Sequence, residues 1–448
     1  MSISRSKCRG VLMLLLTVAI VINSATAQDN KFSVLYSFEA PAPVTFTSAL
    51  GSQPDSLPVL GPGDTVYGMT SAGGQTGSGV IYRYDMKWHS YTMLHTFSAL
   101  DANGHNEDGY YPGVALTRGP DDDFYGMASY GGENGTGTLF KITATGKFTV
   151  LHTFGALNAN GTNDDGASPL RSVVVGEDGK LYGTTRVGGK NLCTPAPGAC
   201  GVAWVMDRNG DNFKVLHQFV AAEGHAASLF QARDGLFYGC AVWPATALGT
   251  TPLPSGILYR MNASGKNFKV LYTFSPTDTN GANADGADCY EPLVETGDGV
   301  FYGTARFGGT NGNGVVFRYS LERGSFEILH DFSATTAGEN PDGAYPYARL
   351  TRDRDGTLYS TTSYGGMNGN GVIYRIGRDD SFDVMHTFSA TDPTTGANED
   401  GATPDFGLIF DERRNSFIGM TDYGGNGSSA GFYNSGGTLY RIKPGDRW

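Results

Sequence analysis

The sequence predicts an all-β chain folded as a seven-bladed β-propeller with four-stranded blades. Three observations predict it. A short apolar strand recurs seven times, two other strand motifs recur in step with it, and the chain ends carry complementary pieces of one repeat. Composition fixes the class. Gly supplies 65 of 448 residues and charged residues only 17%, against averages of roughly 7% and 25%. Aromatics at 12% exclude a disordered chain. So much Gly would cost a helical protein about 1 kcal/mol at each interior position, and no Gly-x-y period marks a collagen.

The elements follow in chain order. Residues 1–27 read as a secretory signal: Arg5, Lys7 and Arg9 precede an apolar run from Val11 to Ile22, and Ala25-Thr26-Ala27 is a small-x-small cleavage site. The run is too short for an ordinary membrane span, so no span is expected after cleavage. The remaining 28–448 is read as one propeller domain. It opens on Val34-Leu-Tyr-Ser-Phe38, the first copy of the strand that ends each repeat. The other copies end at Phe97, Phe154, Phe219, Phe274, Phe332 and Phe388, spaced by 55 to 65 residues. Within each repeat an apolar first strand leads through turns such as Asp178-Gly179 into a second strand marked by Tyr-Gly, as at Tyr67-Gly68 and Tyr182-Gly183. A Gly-Gly loop then leads to a third strand of the form Gly-x-x-aromatic-basic, as in Gly79-Val-Ile-Tyr-Arg83. Four strands at this period describe a propeller blade. The last repeat, around 406–442, lacks a fourth strand. Residues 32–38 supply one, closing the ring and removing its edges.

These motifs carry a resemblance. Asp178-Gly-Lys-Leu-Tyr-Gly-Thr-Thr185, Tyr364-Gly-Gly366 and Gly371-Val-Ile-Tyr-Arg375 resemble the GloVer tandem repeats over roughly 32–442. That family comprises exported bacterial propeller-like proteins with varied C-terminal anchors. The resemblance implies export and little about activity. This chain stops at Trp448 without a sorting tail, so a free secreted or periplasmic protein, and a monomer, is expected.

Charge and cysteine limit the partners. Past the signal, 29 basic residues face 44 acidic ones, which disfavours nucleic acid and anionic membranes. Cys193 and Cys200 are expected to form a small disulfide loop in an exported protein. For Cys240 and Cys289 two readings stand open, a second bridge or two buried thiols.

Most polar repeats read as scaffold. His95, His152, His217, His330 and His386 share one slot of the recurring strand with Tyr36 and Tyr272. A ring with an apolar body and a polar tip suits a half-buried contact between blades. Five loops carry Gly-x-Asn-x-Asp-Gly, giving the pairs Asn106/Asp108, Asn163/Asp165, Asn283/Asp285, Asn340/Asp342 and Asn398/Asp400. They are read as Asx-stabilised turns. The alternative is part of a calcium loop, with these ten residues as the metal ligands. No motif demands a cofactor, and Ca2+ is the one ion these loops suggest.

Specificity is sought where repeats depart from consensus. Arg186 and Arg306 stand at second-strand ends where other blades have Ser71, Ser129, Ser363 and Asp422. Tyr130, Phe307, Tyr364 and Tyr423 flank that position. His225 occupies a shortened loop, and Trp243 opens a Pro-rich segment. Arg186, Arg306, His225, Trp243, Tyr130, Tyr364 and Tyr423 are therefore the expected ligand contacts. Two functions fit: binding of an extracellular glycan or protein, with carbohydrate preferred, or β-elimination on a uronate polymer. In the second, Arg186 or Arg306 would neutralise the carboxylate and His225, or His105 in reserve, would take the proton. A glycosidase is not expected, because no off-pattern carboxylate pair stands out.

Overall fold

The computed structural model describes residues 31–42, 45, 47–113, 115–193, 198–243, 255–426 and 436–444. The segment 1–27 read as a signal, the Pro-rich segment 244–254 and residues 445–448 lie outside them. Among the described residues seven antiparallel sheets of four or five strands follow one another along the chain, each a blade, and a separate two-stranded sheet pairs Ser48–Ser52 with Ala72–Gly74. Blade 1 consists of Val59–Leu60, Thr65–Thr70, Val80–Asp85 and Ser90–Thr96. In blade 4 the first strand is broken into His225–Ala226 and Phe230–Gln231, both paired with Phe237–Val242. First strands vary in length: that of blade 3 is Ala167–Val175, whereas that of blade 2 is only Thr117–Arg118, although Leu116 before it is buried. Blade 7 joins Leu408–Asp411, Ser416–Thr421 and Thr438–Ile442 to the N-terminal strand Phe32–Ser37, with Phe32 opposite Ile442 and Ser37 opposite Thr438. The ring closes as the complementary ends predict.

Register explains two of the motifs together. The Gly of Tyr-Gly lies opposite the aromatic residue of the third strand: Gly68 faces Tyr82, Gly126 faces Phe140, Gly183 faces Trp204 and Gly419 faces Tyr440. The ring lies flat over that Gly. A Cβ on Gly183 would stand 2.4 Å from Trp204, so a bare backbone at this position admits a large ring into the core. The Tyr beside the Gly reaches the next blade, as when Tyr67 stacks on Phe124 at 4.2 Å and Tyr182 on Phe237 at 4.3 Å. Core clusters therefore span neighbouring blades, one uniting Ile81 and Phe97 with Phe124 and Phe140.

The His slot is an inter-blade brace. His95 stacks on Phe148 of the following blade at 3.8 Å, His152 on Phe213 at 4.0 Å, His330 on Phe382 at 3.6 Å and His386 on Phe32 at 4.1 Å. Nε2 of each meets the Asp of an Asn-Asp loop. The distance is 2.9 Å for His95 and Asp108, 3.0 Å for His152 and Asp165, 2.9 Å for His330 and Asp342, and 2.9 Å for His386 and Asp400. Tyr272 takes the same place, its hydroxyl donating to Asp285 at 2.7 Å. In the shortened loop of blade 4, Glu223 substitutes for the Asp and holds His217 at 2.9 Å.

The brace gives the Asn-Asp residues, the alternative metal ligands of the sequence reading, partners within the protein. Asp165 also accepts from the Gly155 amide at 3.0 Å, and Asp400 from the Ser389 amide at 3.0 Å. Asp108, Asp285 and Asp342 accept in the same way from the amides of Ser98, Ser275 and Ser333. Both the ring partner and the amide thus draw on each carboxylate, one blade at a time. The Asn side chains are equally engaged. Asn106 Oδ1 accepts from the amides of Gly109 and Gly132, and its Nδ2 donates to the carbonyls of Ser98 and Gly109. Asn163, Asn283, Asn340 and Asn398 repeat this pattern. An amide oxygen that accepts two N–H bonds is a poor candidate for a cation. Among the described residues no group of three or more His, Cys, Asp and Glu is placed to hold a metal ion. The Asx-turn reading is the one these bonds match.

Candidate functional site

Two residue positions per blade face one mouth of the central channel. The first is the end of the second strand, where Ser71, Ser129, Arg306 and Asp422 stand. The second lies in the segment that enters each first strand, which in blades 1, 2, 3, 6 and 7 contains X-Pro-Y. The X residue takes a left-handed conformation: φ is 56° at Gln53, 60° at Tyr111, 49° at Ser168, 57° at Tyr345 and 58° at Thr403, and Asp288, before Cys289 in blade 5, matches them at 61°. Such angles are uncommon outside Gly and persist only when neighbours impose them. Here the neighbours are two blades. The amide of Thr403 donates to Asn370 of the preceding blade at 3.1 Å, while its carbonyl accepts from Asp422 at 3.1 Å. The same carbonyl contact fixes Ser71 through Gln53 at 3.0 Å and Arg306 through Asp288 at 3.1 Å. Strained backbone thus locks both rings of side chains around the axis.

The two rings enclose a cavity of about 340 Å³, within the size range of small-ligand sites. Its walls differ in charge. Blades 7 and 1 supply Asp405, Asp422 and Asp55, with Tyr111 and Tyr423 beside them. Asp55 Oδ2 accepts from the Tyr111 hydroxyl at 2.5 Å. Asp422, only 9% exposed, has an Oδ1 without a partner, as has Asp405. Burial raises the Asp55 and Asp405 carboxyls to about 6. It raises Asp422 well above the usual range, with the charges of Asp55 and Asp405 adding to the effect.

The opposite wall is cationic. Arg171 Nη1 pairs with Glu291 at 2.6 Å, and its Nη2 donates to the Tyr347 hydroxyl. Its guanidinium lies 4.5 Å from the Tyr347 ring. Arg306 lies 4.7 Å from both the Phe307 and Tyr347 rings. Among the described residues it has no ion-pair partner, and its Nε is buried without an acceptor. Asp288, its neighbour, is raised to about 6 by burial, against the pull of Arg306 and Arg186.

The predicted contacts separate. Arg306 and Tyr423 line the cavity. Tyr130 and Tyr364 are exposed by 47% and 38%, and each opens a Gly-Gly loop. Arg186 is exposed and acts electrostatically on Asp288 and Tyr290 without lining the cavity. His225 is 5% exposed, with Nδ1 3.0 Å from the Arg186 carbonyl oxygen. Burial lowers its pKa, and it stands outside the cavity lining. Trp243 is also buried, packed between blades 3 and 4 with Cys193, Cys200 and Ala226. The side chain expected as a ligand contact is thus a core residue, 5% exposed. His105 is half-buried in its Asn-Asp loop, its amide bonded to Asp101, and lies outside the cavity. So do Asp108, Asp165, Asp285, Asp342 and Asp400, each held in its own brace. No off-pattern carboxylate pair stood out in the sequence, yet the fold brings Asp55, Asp405 and Asp422 to one cavity. Sequence reasoning missed Asp55, Tyr111, Arg171, Tyr347 and Asp405. Their signal is their place beside the recurring Pro.

The described residues hold two disulfides. Cys193 pairs with Cys200 as predicted, and Cys240 pairs with Cys289, which resolves the open pair as a bridge. Cys289 occupies the Pro position of blade 5, directly after Asp288.

A family model described as the Gloeobacter/Verrucomicrobia repeat matches residues 21–193 and 196–433. No curated protein matches the chain. Among solved structures, an oligogalacturonate lyase in complex with manganese is 13% identical, with a TM-score of 0.51 over 93% of both chains. An oligogalacturonate lyase from Vibrio parahaemolyticus gives 13% and 0.51 over 93% of this chain and 94% of its own. A puromycin-hydrolyzing peptidase of Mycobacterium tuberculosis gives 13% and 0.52 over 92% of this chain and 55% of its own. At these identities the likeness is one of fold.

Proposed function

The chain belongs to the Gloeobacter/Verrucomicrobia repeat family, and from that premise we propose that the channel-mouth cavity binds a carbohydrate outside the cytoplasm. One observation carries the reading. Buried donors and acceptors without partners, Arg171 Nε, Arg306 Nε, Asp405 Oδ1 and Asp422 Oδ1, border a single cavity walled by tyrosines. Buried polar atoms are ordinarily satisfied. A ligand dense in hydroxyls satisfies donors and acceptors on both walls, and Tyr111 and Tyr423 offer ring faces beside them. The exposed Tyr130 and Tyr364 extend the same mouth outward. The signal-like segment 1–27 and two disulfides support a secreted or periplasmic setting.

The test is binding of the purified protein to a panel of immobilised glycans, repeated with Asp55→Asn and Asp422→Asn. Retention of at least one glycan by the native protein, weakened in both variants, supports the reading. Capture of no glycan while a protein partner is recovered would sink it.

A second reading, β-elimination on a uronate polymer, is favoured by the unpaired guanidinium of Arg306. With His225 outside the cavity, the base would come from the carboxylates. The absorbance of unsaturated uronate products tests it directly, and a flat trace across uronate polymers removes it.

A further inference from the structure

We infer that the carbohydrate is a sugar acid, seated with its carboxylate on Arg306 and its ring hydroxyls on Asp422 and Asp55. The inference rests on the carbohydrate reading of the cavity. Its ground is the division of the cavity into two unlike walls. Arg171 is neutralised by Glu291 at 2.6 Å. Arg306 has no such partner among the described residues, and the rings of Phe307 and Tyr347 hold it in place at 4.7 Å. A planar guanidinium held against two rings, on a residue that lines the cavity, has the fork that matches a carboxylate. Asp288 and Asp405 act on this guanidinium through space without forming an ion pair with it, and a ligand carboxylate would meet the fork directly. The opposite wall asks for donors, because Asp422 Oδ1 and Asp405 Oδ1 are acceptors without partners. Sugar hydroxyls meet that need. One molecule with a carboxylate at one end and hydroxyls at the other completes both walls.

Proton traffic separates this ligand from its opposite. Asp55, Asp405 and Asp422 are held above the usual carboxylate range. Arg171, Arg306, Tyr111, Tyr347 and Tyr423 are the other charged and titratable groups of the lining, with Asp288 behind Arg306. A second negative charge in the cavity makes the carboxylates still harder to ionise, so an acid ligand brings protons with it. An amino sugar would expel them.

Calorimetric titration near pH 6, in buffers of different ionisation enthalpy, tests this with a uronate disaccharide and its carboxyl-reduced counterpart. The expected result is a preference of about 10- to 100-fold for the uronate, accompanied by net proton uptake. Arg306→Gln abolishes the preference and leaves the weaker binding of the reduced sugar. Arg306→Lys, which keeps the charge but not the fork, gives an intermediate preference and controls for misfolding of the first variant. Equal affinity for the two sugars overturns the inference and leaves the carbohydrate reading standing. Binding of a hexosamine instead, with proton release, overturns it as well. Binding of no sugar at all removes both.

Discussion

At Asp422 a carboxylate stands where three other blades have serine, and its position makes it expensive for the fold. Burial and the charges of Asp55 and Asp405 raise its pKa. The folded state therefore holds a proton that the unfolded chain releases at about 3.9. Stability from this group is full below that value and falls as pH rises through the higher folded pKa. Asp422→Asn removes the penalty while keeping the shape. The variant is expected to melt a few degrees above the native protein at pH 8 and together with it near pH 4, while its sugar binding weakens. Equal melting at both pH values would mean that Asp422 is no strained acid. The residue scale is also where sequence reading divides. Arg306 was legible because it follows the Tyr-Gly motif at a fixed offset, whereas Asp422, at the same offset after Ile418-Gly419, was read only as one of the residues that Arg306 replaces. Asp55 and Asp405 were not legible, because the segment from the loop Gly to the buried Leu varies in length between Gly51 and Leu57, Gly109 and Leu116, and Gly224 and Leu229. His225 and Trp243 stood out by departing from consensus, yet departure alone carries no information about burial.

Between elements, the repeated brace of aromatic slot, Asp and following ring does the work that hydrogen-bonded strands cannot, since neighbouring blades share few ladder bonds. His330 joins Asp342 at 2.9 Å and stacks on Phe382. His330→Ala loses both and leaves a partly buried carboxylate with fewer donors, at a cost of about 2–3 kcal/mol. His330→Tyr is expected to recover most of it, because blade 5 already uses Tyr272 against Asp285 in this way. Denaturant unfolding measures both, and a Tyr variant no better than Ala would refute the equivalence. Burial works against Asp342, but the bonds from His330 and Ser333 prevail and hold its pKa below the usual range. That stability is lost as pH falls below about 4. The Asn-Asp loops bear on calcium through the same bonds. Asp108, Asp165, Asp285, Asp342 and Asp400 already serve as brace acceptors and their Asn neighbours as turn anchors. Chelation is therefore expected to leave the melting temperature unchanged. A drop of several degrees on adding EDTA would reverse that assignment. Strand periodicity and the role of the slot were readable in sequence because each recurs once per blade. The flat seating of each aromatic ring over a Gly emerges only from register.

For the whole molecule, the site depends on closure of the ring. Two acidic residues of the cavity, Asp405 and Asp422, belong to blade 7, and Asp55 follows the strand that completes it. Phe32–Ser37 pairs with Thr438–Ile442, and Phe32 stacks on His386 while Tyr36 stacks on Tyr91 at 4.8 Å. Phe38 is buried among Tyr82, Met420 and Leu439. This one strand thus ties blade 6 to blade 7 and blade 7 to blade 1. Deleting residues 28–38 would strip those contacts and leave Thr438–Ile442 as an open edge, a template for pairing with other chains. The deletion is expected to broaden and lower the melting transition, to produce associated species in size-exclusion chromatography, and to abolish sugar binding with all three acids still present in sequence. A synthetic peptide of residues 31–40 supplies the missing strand by pairing with that edge, and is expected to restore a monomer and the sharper transition. A truncated chain that remains monomeric, melts like the native protein and binds sugar would show that the ring needs no clasp. It would also show that the acidic wall is set within single blades and not by their closure.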